Sequence, residues 1–326
     1  LLHPADLYLW DFWFAPRKMG EPYHLFYLHA PRSLPDPDLR HAVATIGHAV
    51  SDDLHQWQQL PTAFNQGAPG SWDDRAIWTG SIIERDGTYY FFYTGTQLAE
   101  DGLVQRIGLA TSSDLQHWQR HAANPLLEAD PRWYEKLGGS SWWEEAWRDP
   151  CVVWSPADGC YLMFITARVN YGPADGRGVI GCARSSDLLH WEALPPVSEP
   201  GEFAHLEVPQ VLALDGRYYL LFCTASDTHS AARRTRAGDS AAWFGTHYLV
   251  SERLAGPYAL STDVGLAVGA GDYAGKIIEG PDGSLCFLAW QMHGPDGAFA
   301  GALSDPLPLL LLPDGKLAVR YPAANP

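Results

Sequence analysis

Ile46–Trp57 reads IGHAVSDDLHQW, Ile107–Trp118 reads IGLATSSDLQHW, and Ile180–Trp191 reads IGCARSSDLLHW. Near-copies of one stretch in a single chain mean a repeated structural unit. Each copy opens as a β-forming run and ends in a Ser/Asp turn signal followed by Trp, a strand entering a tight turn. Fainter copies, THYLVSERLAGPY from Thr246 and FAGALSDPL from Phe299, bring the count to five.

Ahead of each copy stands a Gly-aromatic strand: GEPYHLFYLHA from Gly20, GTYYFFYTGT from Gly87, GCYLMFITAR from Gly159, GRYYLLFCTA from Gly216 and GSLCFLAWQM from Gly283. The glycine opens the strand as the turn of a hairpin, and an apolar strand precedes it in each unit. The near absence of a 3.6-residue period excludes a helical solenoid. A β-sandwich would give short strands and turns, but not five matched three-part units. Small antiparallel sheets repeated about an axis predict an all-β fold, a five-bladed β-propeller with a central funnel-shaped active site. Residues 1–306 are assigned to the propeller and 307–326 to a C-terminal closing strand or tail.

Of the 326 residues, 46% are hydrophobic, enough for a large core. A formal net charge of −16 makes nucleic acid and anionic membranes poor partners. No run approaches the roughly 18 apolar residues of a membrane helix, and no signal-peptide pattern opens the sequence. Five cysteines without a C-x-x-C pair read as free thiols, so a cytoplasmic location is expected, with secretion as the alternative. The basic run Arg233, Arg234 and Arg236 reads as a solvated loop, or else as an anion contact. Oligomeric state is not encoded legibly.

The repeated Ser51 and Asp52, Ser112 and Asp114, and Ser185 and Asp187 resemble catalytic residues. They recur in every well-formed unit, whereas an active site is needed once. They are read as turn caps, with Trp57, Trp118 and Trp191 packing between blades. Chemistry is sought instead in the first strands, which line a propeller's axis. Asp11 stands nine residues ahead of its glycine, Asp149 ten and Glu207 nine, so three blades put a carboxylate at nearly one height. Carboxylates on apolar strands are costly unless paired or functional. Converging acids without metal-ligand spacing suit glycosidic cleavage, which needs one carboxylate and one protonated acid. Crowding is expected to keep that acid protonated near neutrality. No metal and no cofactor is expected. The partner is a small-molecule carbohydrate.

At these residues the sequence resembles glycoside hydrolase family 32, the β-fructosidases, and more distantly family 68. PYHLFYLHAP, GHAVSDDLHQWQQLP and IWTGSIIERDGTYYFFYTG resemble the family's first and second blades. WRDPCVVW carries its R-D-P, and LEVPQV stands where the family has E-C-P. The resemblance implies Asp11 as nucleophile, Glu207 as acid/base, Asp149 as holder of the sugar hydroxyls and Arg148 as support of the acid/base. It implies a retaining reaction through a covalent fructosyl-enzyme, with fructosyl transfer as a second outcome. Trp10, Trp13, Trp78, Arg148 and Trp143 are the candidate substrate-binding residues. The aromatic segment Trp133–Trp147 is either a sugar platform or a packed loop. Departures are Leu9-Trp10-Asp11-Phe12-Trp13 in place of W-x-N-D-P-N-G, Leu28 in place of Gln, and Val208 in place of Cys. The family's C-terminal β-sandwich is not represented. The competing readings are an inverting family 43-like arabinofuranosidase or xylosidase, and a non-catalytic carbohydrate-binding propeller.

Overall fold

The structure is a computed structural model that describes residues 1–238, 243–266, 271–294 and 297–321. The five anchor glycines have φ between +63° and +86°, a region where L side chains are strained. Each therefore ends one strand and lets the next fold back antiparallel. The result is the expected five-bladed propeller.

Blade one is Leu7–Phe14, Tyr23–Pro31, Thr45–Ser51 and Gln58–Phe64. Blade two is Ala76–Arg85, Thr88–Thr96, Gln105–Ser112 and Gln119–Arg120. Blade three is Trp147–Ser155, Cys160–Arg168, Gly178–Ser185 and Glu192–Leu194. Blade four is Glu207–Leu214, Arg217–Thr224, Gly245–Ser251 and Ala259–Leu260. In blade five, Asp272–Glu279 pairs Leu285–His293, against which both Phe299–Leu303 and Leu307–Leu311 lie, with Leu317–Val319 outermost. The sequence boundary at 306/307 thus cuts through a blade. Leu307–Leu311 belongs to the fifth sheet because its apolar residues cover that sheet's core, and 322–326 of the assigned tail lie outside the described residues. An antiparallel bridge from Leu2 to Leu303 joins the first blade's leading segment to the last.

The S-x-D-L-x-x-W turns are structural. The Ser112 hydroxyl accepts from the Asp114 and Leu115 amides at 3.1 and 2.9 Å, and Asp114 Oδ1 accepts from those of Gln116 and His117, both at 2.8 Å. In the first blade the capping carboxylate is Asp53 rather than Asp52, since only Asp53 is in phase with the turn amides. Trp118 meets Phe26 of blade one and Phe91 of its own blade edge-on, and Trp191 meets Phe92 of the preceding blade. Burial between adjacent sheets is the main stabilising term, and aromatic rings supply much of its area.

The Arg233 run is no solvated loop. Ala231–Ala237 is a short helix, and Arg233 is buried against Phe203 with ion pairs to Glu202 and Asp263.

Phe91 is buried among Trp13, Phe64, Tyr93 and Trp118. Phe91→Ala is expected to cost about 3–5 kcal/mol through lost burial and a cavity. Chemical denaturation measures this, and a loss below about 1 kcal/mol would place the interblade core elsewhere.

Candidate active site

Each innermost strand loses register with its hairpin partner at the axis. The breaks fall between Trp10 and Phe12, Trp78 and Gly80, Arg148 and Cys151, Glu207 and Gln210, and Tyr273 and Lys276. Asp11, Asp149, Val208 and Ala274 sit at these breaks with φ of +21°, +57°, +54° and +46°. Non-glycine residues held there are strained. Such bulges twist the strand and re-aim its side chains. The neighbouring blade helps to hold them: Thr94 Oγ1 accepts from the Asp149 amide at 2.9 Å, and Thr246 Oγ1 from the Gly275 amide at 3.0 Å. Buried Lys276 donates to the Val208 and Pro209 carbonyls at 2.8 and 3.3 Å, which fixes the bulge beside Glu207.

These bulges bring Asp11, Asp149, Glu207 and Arg148 into one funnel-shaped cavity of about 580 Å³, with Trp10, Trp78 and Trp143 also on its walls. Leu28 gives the wall an apolar face. Trp13 is the exception among the candidate site residues. It is buried between Phe26 and Phe91 and borders the cavity at the opposite end of the channel, so it packs the core and does not touch the funnel. In the aromatic segment, Tyr134 and Trp147 are fully buried and Trp142 lies under Arg168. Most of that segment is therefore packed loop, and Trp143 is the ring it sends to the funnel mouth.

Arg148 is the hub. Its NH1 donates to Glu144 at 2.8 Å and Gln105 at 3.1 Å, its NH2 donates to Glu207 Oε1 at 2.6 Å, and its Nε lies 3.6 Å from Asp149. Burial lowers the pKa of this guanidinium, but Glu144, Glu207 and Asp149 outweigh that and raise it above the usual arginine value. Glu144 is likewise resisted by burial, yet Arg148 and His205 lower it to about 2.

The three carboxylates have different surroundings. Glu207 Oε2 accepts from the Tyr273 hydroxyl at 2.5 Å. Burial pushes Glu207 up, but Arg148, then His205 and Tyr273, bring it below the usual glutamate range. Asp149 Oδ2 accepts from Thr166 at 2.8 Å and from the Val208 amide at 3.1 Å. Burial raises it, with Arg148 opposing. Asp11 accepts from Trp290 Nε1 at 2.8 Å and Thr79 Oγ1 at 3.3 Å. Burial first, then the charges of Asp149 and Glu207, push it up to about 7. The sequence reading put the retained proton on Glu207. Of Asp11 and Glu207, the carboxyl that its surroundings raise is Asp11, while the Arg148 guanidinium stabilises charge on Glu207.

Tyr273, Trp290, Thr79, Thr166, Glu144, Gln105 and His205 were not anticipated. Two carried a signal: His205 is two residues before Glu207, and Glu144 is four before Arg148. Tyr273 and Trp290 are register partners on adjacent strands of blade five, so one cross-strand pair serves both Glu207 and Asp11.

The model of the glycosyl hydrolases family 32 N-terminal domain matches residues 15–298, a stretch that includes Asp149 and Glu207 and begins just after Asp11. The chain is 31% identical over 189 residues to sucrose:sucrose 1-fructosyltransferase of Festuca arundinacea, covering 56% of this chain and 25% of that protein. It is 29% identical over 264 residues to beta-fructofuranosidase, insoluble isoenzyme 7, of Oryza sativa subsp. indica, covering 68% and 40%. The matched part is thus well under half the length of these curated relatives. Among solved structures, inulosucrase from Halalkalicoccus jeotgali bound to kestose superposes with a TM-score of 0.78 at 22% identity, over 98% of this chain and 90% of that one. Sucrose-6-phosphate hydrolase from Lactobacillus gasseri gives 0.75 at 21% identity, over 99% and 63%. These superpositions show a shared fold.

The Asp11 environment has a consequence for stability. Between pH about 4 and 7 the unfolded chain has released this proton while the folded chain keeps it, so stability falls as pH rises through that window. Asp11→Asn removes the buried charge. The variant should match the parent near pH 4 and exceed it above pH 7 by on the order of a few kcal/mol. Denaturation at both pH values measures this, and an equal difference at the two would contradict the raised Asp11.

Proposed function

The chain belongs to glycosyl hydrolase family 32, and from that premise we propose that it is a retaining glycosidase acting on β-fructofuranosides of the sucrose or fructan type. The observation that carries this reading is the convergence of Asp11, Asp149 and Glu207 from three blades into one funnel, with Arg148 linking the latter two.

In this reading an Asp11 oxygen attacks the anomeric carbon of the fructosyl group. Its bond to the leaving oxygen breaks as Glu207 gives that oxygen a proton, leaving a fructosyl ester on Asp11. Glu207, now ionised, takes a proton from water, whose oxygen attacks the same carbon and frees Asp11. A sugar hydroxyl in place of water gives fructosyl transfer. Asp149 spends Oδ2 on Thr166 and Val208, which leaves Oδ1 as the acceptor for sugar hydroxyls. Charge there also stabilises the oxocarbenium-like transition state. Trp290 and Tyr273 hold the two reacting carboxylates in place.

The two carboxyls titrate as a coupled pair, and turnover needs one proton between them. With Asp11 at about 7 and Glu207 lowered, kcat/KM should fall off above about pH 7 as the shared proton leaves. Tyr273→Phe removes a hydrogen bond that favours ionised Glu207, so the ascending limb at acid pH should move toward neutrality. A pH–rate profile of both proteins measures these limbs. A profile still flat well above neutrality, or a Tyr273→Phe limb displaced to lower pH, would refute the proton assignment.

The reaction class is tested by incubating the protein with sucrose and recording NMR spectra before mutarotation. The first-formed fructose, or fructosyl product, should keep the β configuration, and Asp11→Asn should abolish turnover. Inverted product would exclude the ester, and turnover by Asp11→Asn would exclude Asp11 as nucleophile.

A further inference from the structure

Trp143 is 59% exposed at the funnel mouth, yet both of its chain neighbours are fastened. The Trp142 ring lies under the Arg168 guanidinium at 3.9 Å and meets His205 edge-on at 4.9 Å. Glu144 is buried and hydrogen-bonded to Arg148 and to Gln105, the latter at 2.6 Å. A large apolar ring is thus kept in water on a backbone tied down on both sides. Leaving it there forgoes hydrophobic stabilisation, which a loop free to turn the ring inward would recover. A preorganised aromatic face at a cavity mouth is what sugar binding uses, since the C–H face of a sugar ring covers it without a further ordering cost.

The elements that anchor Trp143 bear on which sugar it meets. The fructosyl carbon must touch Asp11, whose wall carries Thr79, Trp78 and Trp10. The leaving oxygen must reach Glu207, whose wall runs through Arg148 to Glu144 and His205, and Trp143 lines the cavity as the chain neighbour of Glu144. Resting on the fructofuranosidase reading, we infer that Trp143 is the platform for the leaving-group sugar. By microscopic reversibility it also receives the acceptor sugar that replaces the leaving group in transfer. Trp143 is then a specificity-determining residue that contacts the part of the substrate distal to the scissile bond.

The test uses the Asp11→Asn chain, which cannot turn substrate over, titrated calorimetrically with sucrose and separately with fructose. Adding Trp143→Ala should weaken sucrose about tenfold and leave fructose within twofold, and Trp143→Phe should restore most of the sucrose affinity. In the chain with Asp11 intact, Trp143→Ala should lower the ratio of transfer to hydrolysis at high sucrose. Equal weakening of both sugars, or weakening of neither, overturns the platform while leaving the fructofuranosidase reading standing. Failure of the Asp11→Asn chain to bind either sugar would overturn that reading, and the platform with it.

Discussion

A buried guanidinium holds the funnel together. Arg148 lies where three blades meet, and Glu144, Glu207 and Asp149 would repel one another in its absence. Buried carboxylates persist only when paired. Its donors are shared out with consequence: NH1 serves the Glu144–Gln105 side of the wall, and NH2 serves Glu207. The axial bulges make this possible, because an unbroken strand would put Arg148 and Asp149 on opposite faces. The interblade bonds from Thr94 and Thr166, and Lys276 beneath Val208, oppose relaxation of those strained residues. Fold and site are coupled here, since the strain that aims the carboxylates is held by the packing of adjacent sheets.

How much of this is legible in the sequence follows from the same geometry. The blades were readable because five units solve one packing problem with one turn, and Ser112, Asp114 and Trp118 recur for that reason. Asp11, Asp149 and Glu207 were readable as departures from the repeat at a common distance from the hairpin glycines. Trp13 stands two residues from Asp11, a spacing that in a regular strand puts both on one face. The bulge between Trp10 and Phe12 resets that parity, so Trp10 and Asp11 both reach the funnel and Trp13 turns into the core. Tyr273 and Trp290 gave no signal, since the fifth blade's repeat is the weakest and their roles depend on carboxylates far away in sequence. Arg233 was misread for a similar reason: its partners Glu202 and Asp263 lie 31 and 30 residues away.

The uneven distribution of cationic contacts also bears on the proposed chemistry. A site that raises Asp11 to about 7 disfavours an anion at that oxygen, and esterification removes the anion as surely as protonation does. The fructosyl ester would be a neutral Asp11 derivative beside the charges of Asp149 and Glu207. The burial and repulsion that raise the free acid therefore favour the covalent intermediate over the free carboxylate. Glu207 has the complementary environment. Arg148 and the Tyr273 hydroxyl stabilise its ionised form, the form it must take once it has given its proton to the leaving oxygen. The surroundings, which disfavour charge on Asp11 and favour it on Glu207, thus match the charge pattern of the proposed glycosyl-enzyme. Such a site is preorganised for the state that follows bond cleavage, and its fixed dipoles need little rearrangement as charge moves. The ground state bears the corresponding cost, because attack requires the proton to reside on Glu207, the less favoured of the two sites. In the proposed cycle Tyr273 and Arg148 therefore act on both proton transfers through Glu207, easing its loss of a proton to the leaving oxygen and weakening it as the base that later takes a proton from water.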